Sequence, residues 1–376
     1  MKNIAIVTLI GYTNYGNKLQ NYALQEVLTQ IGFNVETIVY EQINTITSKR
    51  ALFKKVKRLK NKDILDIIQS LNYRYYIYAN AKQIAETKER RTKIFKNFAD
   101  AYINEIEHPI DINNFPADLV EKYDYFVVGS DQVWNPAYNF GHPFFFLNFA
   151  SKDRRVAYAA SFGVSNIDPN YERQYKNWIN GIDKISVREE AGAKFVKSLT
   201  GRNVPVLVDP TLLLTKKQWL EIAKPSIHKP KSKYLLTYFL GRIPRAYKKQ
   251  IVTIAEKNNL EILHLNNIRE KEFYEIGPSE FLDYINSCAV FCTDSFHGAV
   301  FSILLQKPFV VYERIGSMSM FSRLQTLLDK FDFTCRNSSE ITPDEIFNID
   351  FSHVSSVLEK ERREALDFLT HALGMK

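Results

Sequence analysis

The stretch TDSFHG, Thr293 to Gly298, puts an acid, a hydroxyl and an imidazole on one short turn between the apolar runs AVFC and AVFSILL. His297 is the side chain there whose charge changes near neutral pH, so it can give a proton to a reacting group or take one from it. Gly298 lets a helix start tightly after the turn. The backbone amides of Gly298 to Val300 would then lie at that helix's positive end, a natural anion site. Asp294 and Ser295 add hydrogen-bonding groups beside it. The pattern suits acid–base chemistry on a bound phosphate or carboxylate; a histidine kept for structure alone is the competing reading.

Other turns carry comparable groups. In GYTNYGNKLQNYALQ, Gly11 and Gly16 let the backbone approach a ligand closely, while Asn14 and Asn17 can cap the following helix and leave backbone amides pointing into a cleft. The stretch is neither GxGxxG nor a P-loop, which removes support for nicotinamide chemistry or NTP hydrolysis. In VVGSDQVWNP, Ser130, Asp131 and Gln132 follow two valines that end a buried run. A carboxylate there is costly to bury without a partner, so Asp131 binds a sugar hydroxyl, accepts a proton, or holds a neighbouring loop. ASFG presents Ser161 in the same way. In SVREE, Arg188 follows an apolar run and precedes a helix, where its guanidinium can clamp a carboxylate or phosphate, or pair with Glu189 or Glu190. YERIGSMSMFSR adds Glu313, Arg314 and Arg323. No cluster has metal-ligand spacing, and no cofactor is expected.

These turns need strands and helices to hold them. Apolar β-rich runs alternate with helix-period runs, the signature of a parallel sheet between helices. The first series reads as strands at 3–9, 34–40, 124–128, 155–161, 184–187 and 204–208, with helices from about Asn17 to Ile31 and from Glu189 to Ser198. Residues 42–107 interrupt it with a basic, helical excursion. After TKKQWLEIAKPSIHKPKSK, which has the composition of a linker, a second series begins at Lys233. Its strands are KYLLTYFLG, LEILHLN, AVFCTD and PFVVYE, and its helices begin near Pro244, Pro278, Gly298 and Arg323. The expected layout is an α/β protein with a first domain at 1–222, a second at 233–350, and a terminal helix at 355–376 packing back on the first. That helix would bury Val357, Leu358, Leu366, Leu369 and Leu373. Ligands of such sheets bind where strands turn into helices, so the cleft between the domains is the expected site.

A chain of 376 residues, 45% hydrophobic and 24% charged, has ample core for this. Cys288, Cys292 and Cys335 show no CxxC spacing and suit reduced thiols. The net charge of +8 is matched by the eight basic residues of KRALFKKVKRLKNK, Lys49 to Lys62, so the remaining chain is nearly balanced and nucleic-acid binding is not expected. Apolar residues beside those charges suit either a solvated helix or one lying on an anionic membrane. No run is long and apolar enough to span a bilayer, and the start lacks signal-peptide features. A cytoplasmic protein is the expectation, with contact at the inner face of the membrane through Lys49 to Lys62 as the alternative to a solvated helix.

Taken together, GYTNYGNKLQNYALQ, VVGSDQVWNP, SVREE, VDPTLLL and CTDSFHGAVFSILLQKPFVV resemble the polysaccharide pyruvyl transferase family across most of residues 4–330. The resemblance implies two Rossmann-like, doubly wound domains in a GT-B-like arrangement around an interdomain cleft. It further implies phosphoenolpyruvate as donor and two hydroxyls of a sugar, free or on a lipid-linked oligosaccharide, as acceptor, the product being a ketal in a cell-surface polysaccharide. It assigns Arg188 as an anion ligand and His297 as the catalytic or phosphate-contacting histidine. Many relatives carry Arg-Leu-His where this chain has Ser295-Phe296-His297. Two alternatives stay open: a glycosyltransferase using a nucleotide-sugar donor, and a non-catalytic sugar-binding subunit.

Overall fold

In a computed structural model, which describes residues 1–41, 64–136, 142–164, 166–315 and 321–375, the chain forms two parallel sheets. The first series comprises β1 (Asn3–Val7), α1 (Tyr15–Gln30), β2 (Asn34–Thr37), α2 (Ile64–Ala79), α3 (Ala81–Tyr102), α4 (Ala117–Lys122) and β3 (Tyr125–Val128). It continues with β4 (Arg155–Ala160), α5 (Pro169–Asn180), β5 (Lys184–Val187), α6 (Glu190–Thr200) and α7 (Lys216–Glu221). The second comprises β6 (Tyr234–Tyr238), α8 (Arg245–Lys257), β7 (Glu261–Leu265), α9 (Lys271–Tyr274), α10 (Pro278–Ser287) and β8 (Val290–Thr293). It ends with α11 (Phe296–Leu305), β9 (Phe309–Val311), α12 (Phe321–Lys330) and α13 (Val354–Ala372). The basic run Lys49 to Lys62 lies outside the described residues.

The strand orders are β2-β1-β3-β4-β5 and β7-β6-β8-β9, all parallel. A parallel strand is covered on both faces, so it reads as a continuous apolar run rather than an alternating one. Ile4 to Val7 and Phe126 to Val128 are accordingly fully buried. Two Rossmann-like units result, with a cleft between them.

Contacts between the units fix that cleft. Tyr15, at the start of α1, stacks on Phe281 of α10 with ring centres 4.2 Å apart. Trp219 of α7 meets Tyr22 of α1 at 5.7 Å and Phe301 of α11 at 5.0 Å. Residues 215–233 therefore do more than link. Thr215 and Gln218 form a capping box that starts α7, and the helix seats its indole in the shared core. Arg91 of α3 adds a polar tie, donating to Tyr15 Oη (3.2 Å), to the Thr13 carbonyl (2.9 Å) and to the Tyr274 carbonyl.

Three local expectations are corrected. Residues 204–208 make a single bridge, Val187 to Val206, because Pro205 has no N–H with which to extend a ladder. Helix α11 begins at Phe296, not Gly298, because Ser295 caps it. On α13 the buried face is Val354, Leu358, Glu361, Ala365, Leu369 and Ala372, a 3.6-residue spacing that leaves Leu366 exposed.

Candidate active site

In both sheets the strand order reverses between the first strand and its inner neighbour, so the loops leaving those strands diverge and open a crevice. In the first sheet these are the loops after β1 and β3. In the second they are the loops after β6 and β8. The two crevices meet in one cleft of about 380 Å³, lined from one side by Asn14, Asn17, Asp131 and Gln132 and from the other by Leu240, Ser295, Phe296 and His297. Leu9, Ile10, Gly11, Tyr40, Arg314 and Arg323 complete its wall.

Beneath the floor lies Asp209, completely buried. Its Oδ2 accepts from Ser130 Oγ at 2.8 Å and from Arg188 Nη1 at 2.6 Å. Its Oδ1 accepts from the Thr211 amide at 3.1 Å and from Thr211 Oγ1 at 2.7 Å. His297 Nε2 sits 3.5 Å from Oδ2, too far for a good hydrogen bond but close enough for strong electrostatic coupling. Burial alone would raise the Asp209 carboxyl, but the charges of His297 and Arg188 and the Thr211 hydroxyl outweigh it and hold the group well below the usual carboxylate range. Burial likewise opposes the charge of Arg188, yet Asp209 and Asp131 more than offset it and its pKa is raised.

Arg188 is thus not paired with Glu189 or Glu190; it bridges Asp209 and, with Nη2 3.6 Å from Oδ1, Asp131. It lies under the cleft rather than on its surface, and its guanidinium stacks 4.4 Å from the Phe296 ring. Asp131 lines the cleft, accepting from Asn17 Nδ2 and from the Gln132 amide (2.8 Å). It therefore ties the β1 loop to the β3 loop. That turn requires Gly129, whose φ is +125° and whose Cβ, if present, would lie 2.1 Å from the Tyr158 carbonyl oxygen.

His297 projects from the first turn of α11. A Cβ on Gly16 would stand 2.0 Å from its Nδ1, so the histidine of one unit rests directly on the helix start of the other. Nε2 is enclosed against Asp209, without a hydrogen-bond partner among the described residues, which leaves Nδ1 as the ring nitrogen facing the cleft. Ser295 Oγ accepts from the Gly298 amide (3.3 Å), and the Ser295 carbonyl accepts from the Ala299 amide (3.1 Å). The amides expected to bind an anion are therefore already used within the helix. Those left without a protein acceptor among the described residues belong to Phe296 and His297.

The remaining candidates divide. Asp294 is a strut: it accepts from the Leu240 amide (2.7 Å), the Gly241 amide (2.8 Å) and Arg314 Nε (3.0 Å), fixing the β6 loop to the β8 loop. Ser161 donates to buried Glu189 Oε1 at 3.1 Å, which also accepts from the Phe162 and Gly163 amides. Gly298 provides clearance, since a Cβ there would lie 2.7 Å from Thr293 Oγ1. Gly16 and Ser130 sit against His297 and Asp209 respectively. Glu313 is exposed and does not join the cleft. Arg323 lines the cleft and is 94% buried by its 6% exposure, with no ion-pair partner among the described residues. Asp209 and Glu189 are the residues that sequence reasoning did not place; the Asp-Pro of VDPTLLL was the available signal, since it ends the apolar run that bridges to the end of β5.

The family model for polysaccharide pyruvyl transferase matches residues 14–314 of the chain. A sequence comparison with curated proteins finds no significant match. Among solved structures, S. aureus MnaA with UDP is similar at 11% identity and a TM-score of 0.48, covering 100% of this chain and 98% of that one. The UDP-GlcNAc 2-epimerase of Methanocaldococcus jannaschii, in complex with UDP-GlcNAc and UDP, is similar at 12% identity and a TM-score of 0.45, covering 99% and 100%. Anabaena HepE with UDP and glucose is similar at 10% identity and a TM-score of 0.43, covering 99% and 100%.

Proposed function

From the premise that this chain belongs to the polysaccharide pyruvyl transferase family, we propose that it moves the enolpyruvyl-derived group of phosphoenolpyruvate onto two hydroxyls of a sugar, forming a ketal and releasing phosphate. The observation that carries this reading is the placement of His297. An imidazole coupled to a buried carboxylate through one nitrogen presents the other to a cleft lined by loops from both sheets.

The chemistry needs one proton delivered and one removed. The donor's methylene carbon takes a proton from His297, and the first sugar hydroxyl then bonds to the central carbon, returning its own proton to the imidazole. The C–O bond to phosphate then breaks, and the second hydroxyl closes the ring while its proton leaves with the phosphate. Both transfers suit an imidazole, which can both give and take a proton, and Nδ1 of His297 is the atom that faces the cleft. Asp209 favours the proton on Nε2 and stabilises the imidazolium that forms, so Nδ1 can cycle between base and acid. Asn17, Asp131 and Gln132 offer donors and acceptors for the sugar hydroxyls on the opposite wall. A lipid-linked acceptor would bring the enzyme to a membrane face, where the eight cations of Lys49 to Lys62 would meet anionic lipid.

The test is incubation with phosphoenolpyruvate and candidate oligosaccharide acceptors, following phosphate release and acceptor mass. Stabilisation by a nucleoside diphosphate but not by phosphoenolpyruvate, with no ketal formed, would replace this reading with nucleotide-sugar transfer.

A further inference from the structure

We propose that Arg323 is the anchoring cation for the phosphate of the cleft's ligand, a role that the first turn of α12 serves in place of the Ser295 position. Naming that ligand as phosphoenolpyruvate rests on the function proposed above; the phosphate site itself does not.

The charges around the cleft are unevenly matched. Arg188 is matched by Asp209 and Asp131, Arg314 by Asp294, and His297 by Asp209. Arg323 has no carboxylate within ion-pair distance among the described residues, and its Nε has no hydrogen-bond partner there. It is nevertheless 6% exposed. Burial, reinforced by repulsion from Arg188, pushes its guanidinium down to about 10, while Glu189 and Asp131 act on it only from longer range. A buried guanidinium without a counter-ion is costly to a fold, and a ligand anion is the natural compensation.

Its surroundings specify the kind of anion. Arg323 lies 5.9 Å from the Phe296 ring, on whose face Arg188 also stacks. The amides of Phe296 and His297, at the positive end of α11, have no acceptor among the described residues and belong to the same wall. A cation and a helix start together match a doubly charged tetrahedral oxyanion better than a single carboxylate. Ser295, by contrast, spends its side chain on capping α11.

Thermal-shift titration with inorganic phosphate tests the site directly in the wild type, Arg323→Met and Arg323→Lys. The wild type should show saturable stabilisation, Arg323→Met should bind phosphate at least about tenfold more weakly, and Arg323→Lys should fall between. Without phosphate, Arg323→Met should melt at or above the wild-type temperature, because it removes an uncompensated buried charge. Unchanged phosphate affinity in Arg323→Met would overturn the proposal, as would pyruvate stabilising the wild type as well as phosphate does. Phosphate binding through Arg323 without any binding of phosphoenolpyruvate would leave this site standing and remove the donor assignment instead.

Discussion

Gly16 and His297 come from helix starts in different units, yet a single methyl group on Gly16 would lie 2.0 Å from His297 Nδ1. The His297 imidazole is thus positioned by a backbone surface of the opposite unit, and the absence of a side chain on Gly16 is what gives the ring room. Gly16→Ala should push the ring away from Asp209. We expect turnover to fall by roughly a hundredfold, the scale of an ångström's misplacement, with about 1–3 kcal/mol lost to overpacking. Steady-state kinetics and denaturant unfolding on the same preparation measure both; unchanged turnover would show that the ring tolerates displacement.

Asp209→Asn removes the counter-charge of Arg188 and of His297 together. Breaking a buried pair in this way costs about 3–5 kcal/mol, which chemical denaturation should register. The pH dependence has a definite sign. Because the folded pKa of Asp209 is depressed, its contribution is fully present above the ordinary carboxylate range and is lost as pH falls below that range toward the folded value. Melting temperature measured downward from pH 5 should therefore decline less steeply in Asp209→Asn than in the wild type; parallel curves would contradict the coupling.

Trp219→Ala should loosen the contact between α1 and α11 while leaving each sheet intact. The indole is completely buried, so the loss is about 3–5 kcal/mol. Limited proteolysis should then cut first within residues 215–233. Unfolding as cooperative and as stable as wild type would show that the tryptophan does not hold the units together.

The run Lys49 to Lys62 gives a prediction that stands on the sequence alone. Vesicles containing anionic lipid should sediment the protein at low salt, release it as salt rises, and fail to capture a variant with these lysines and arginines changed to glutamine. Equal capture of both proteins would remove membrane contact from the account.

Much of this architecture was legible because parallel strands are buried on both faces and so announce themselves as apolar runs. Lys184–Val187 is found where the sequence places it, and β1, β3, β4, β5 and β8 end just before the polar turns singled out as candidates. The partners of those turns were not legible. Arg188 finds Asp209, 21 positions away, rather than the adjacent Glu189, because the two loops converge only after the sheet twists them together. Asp294 looked like a ligand-binding acid, but its oxygens are consumed by amides 53 and 54 residues away and by Arg314. Trp219 sits in a stretch rich in lysine and proline, where composition hides one anchoring side chain. Long-range pairing, not local propensity, decides these cases.

The central claim is that His297 moves protons during transfer from phosphoenolpyruvate, and His297→Ala tests it most directly. Phosphate release and ketal formation should be measured together, by phosphate assay and mass spectrometry of the acceptor, with wild type and a folded variant side by side. The wild type should yield equal amounts of phosphate and pyruvylated acceptor, and His297→Ala should reduce both more than about a hundredfold. Near-wild-type formation of the ketal by the folded His297→Ala protein would contradict it.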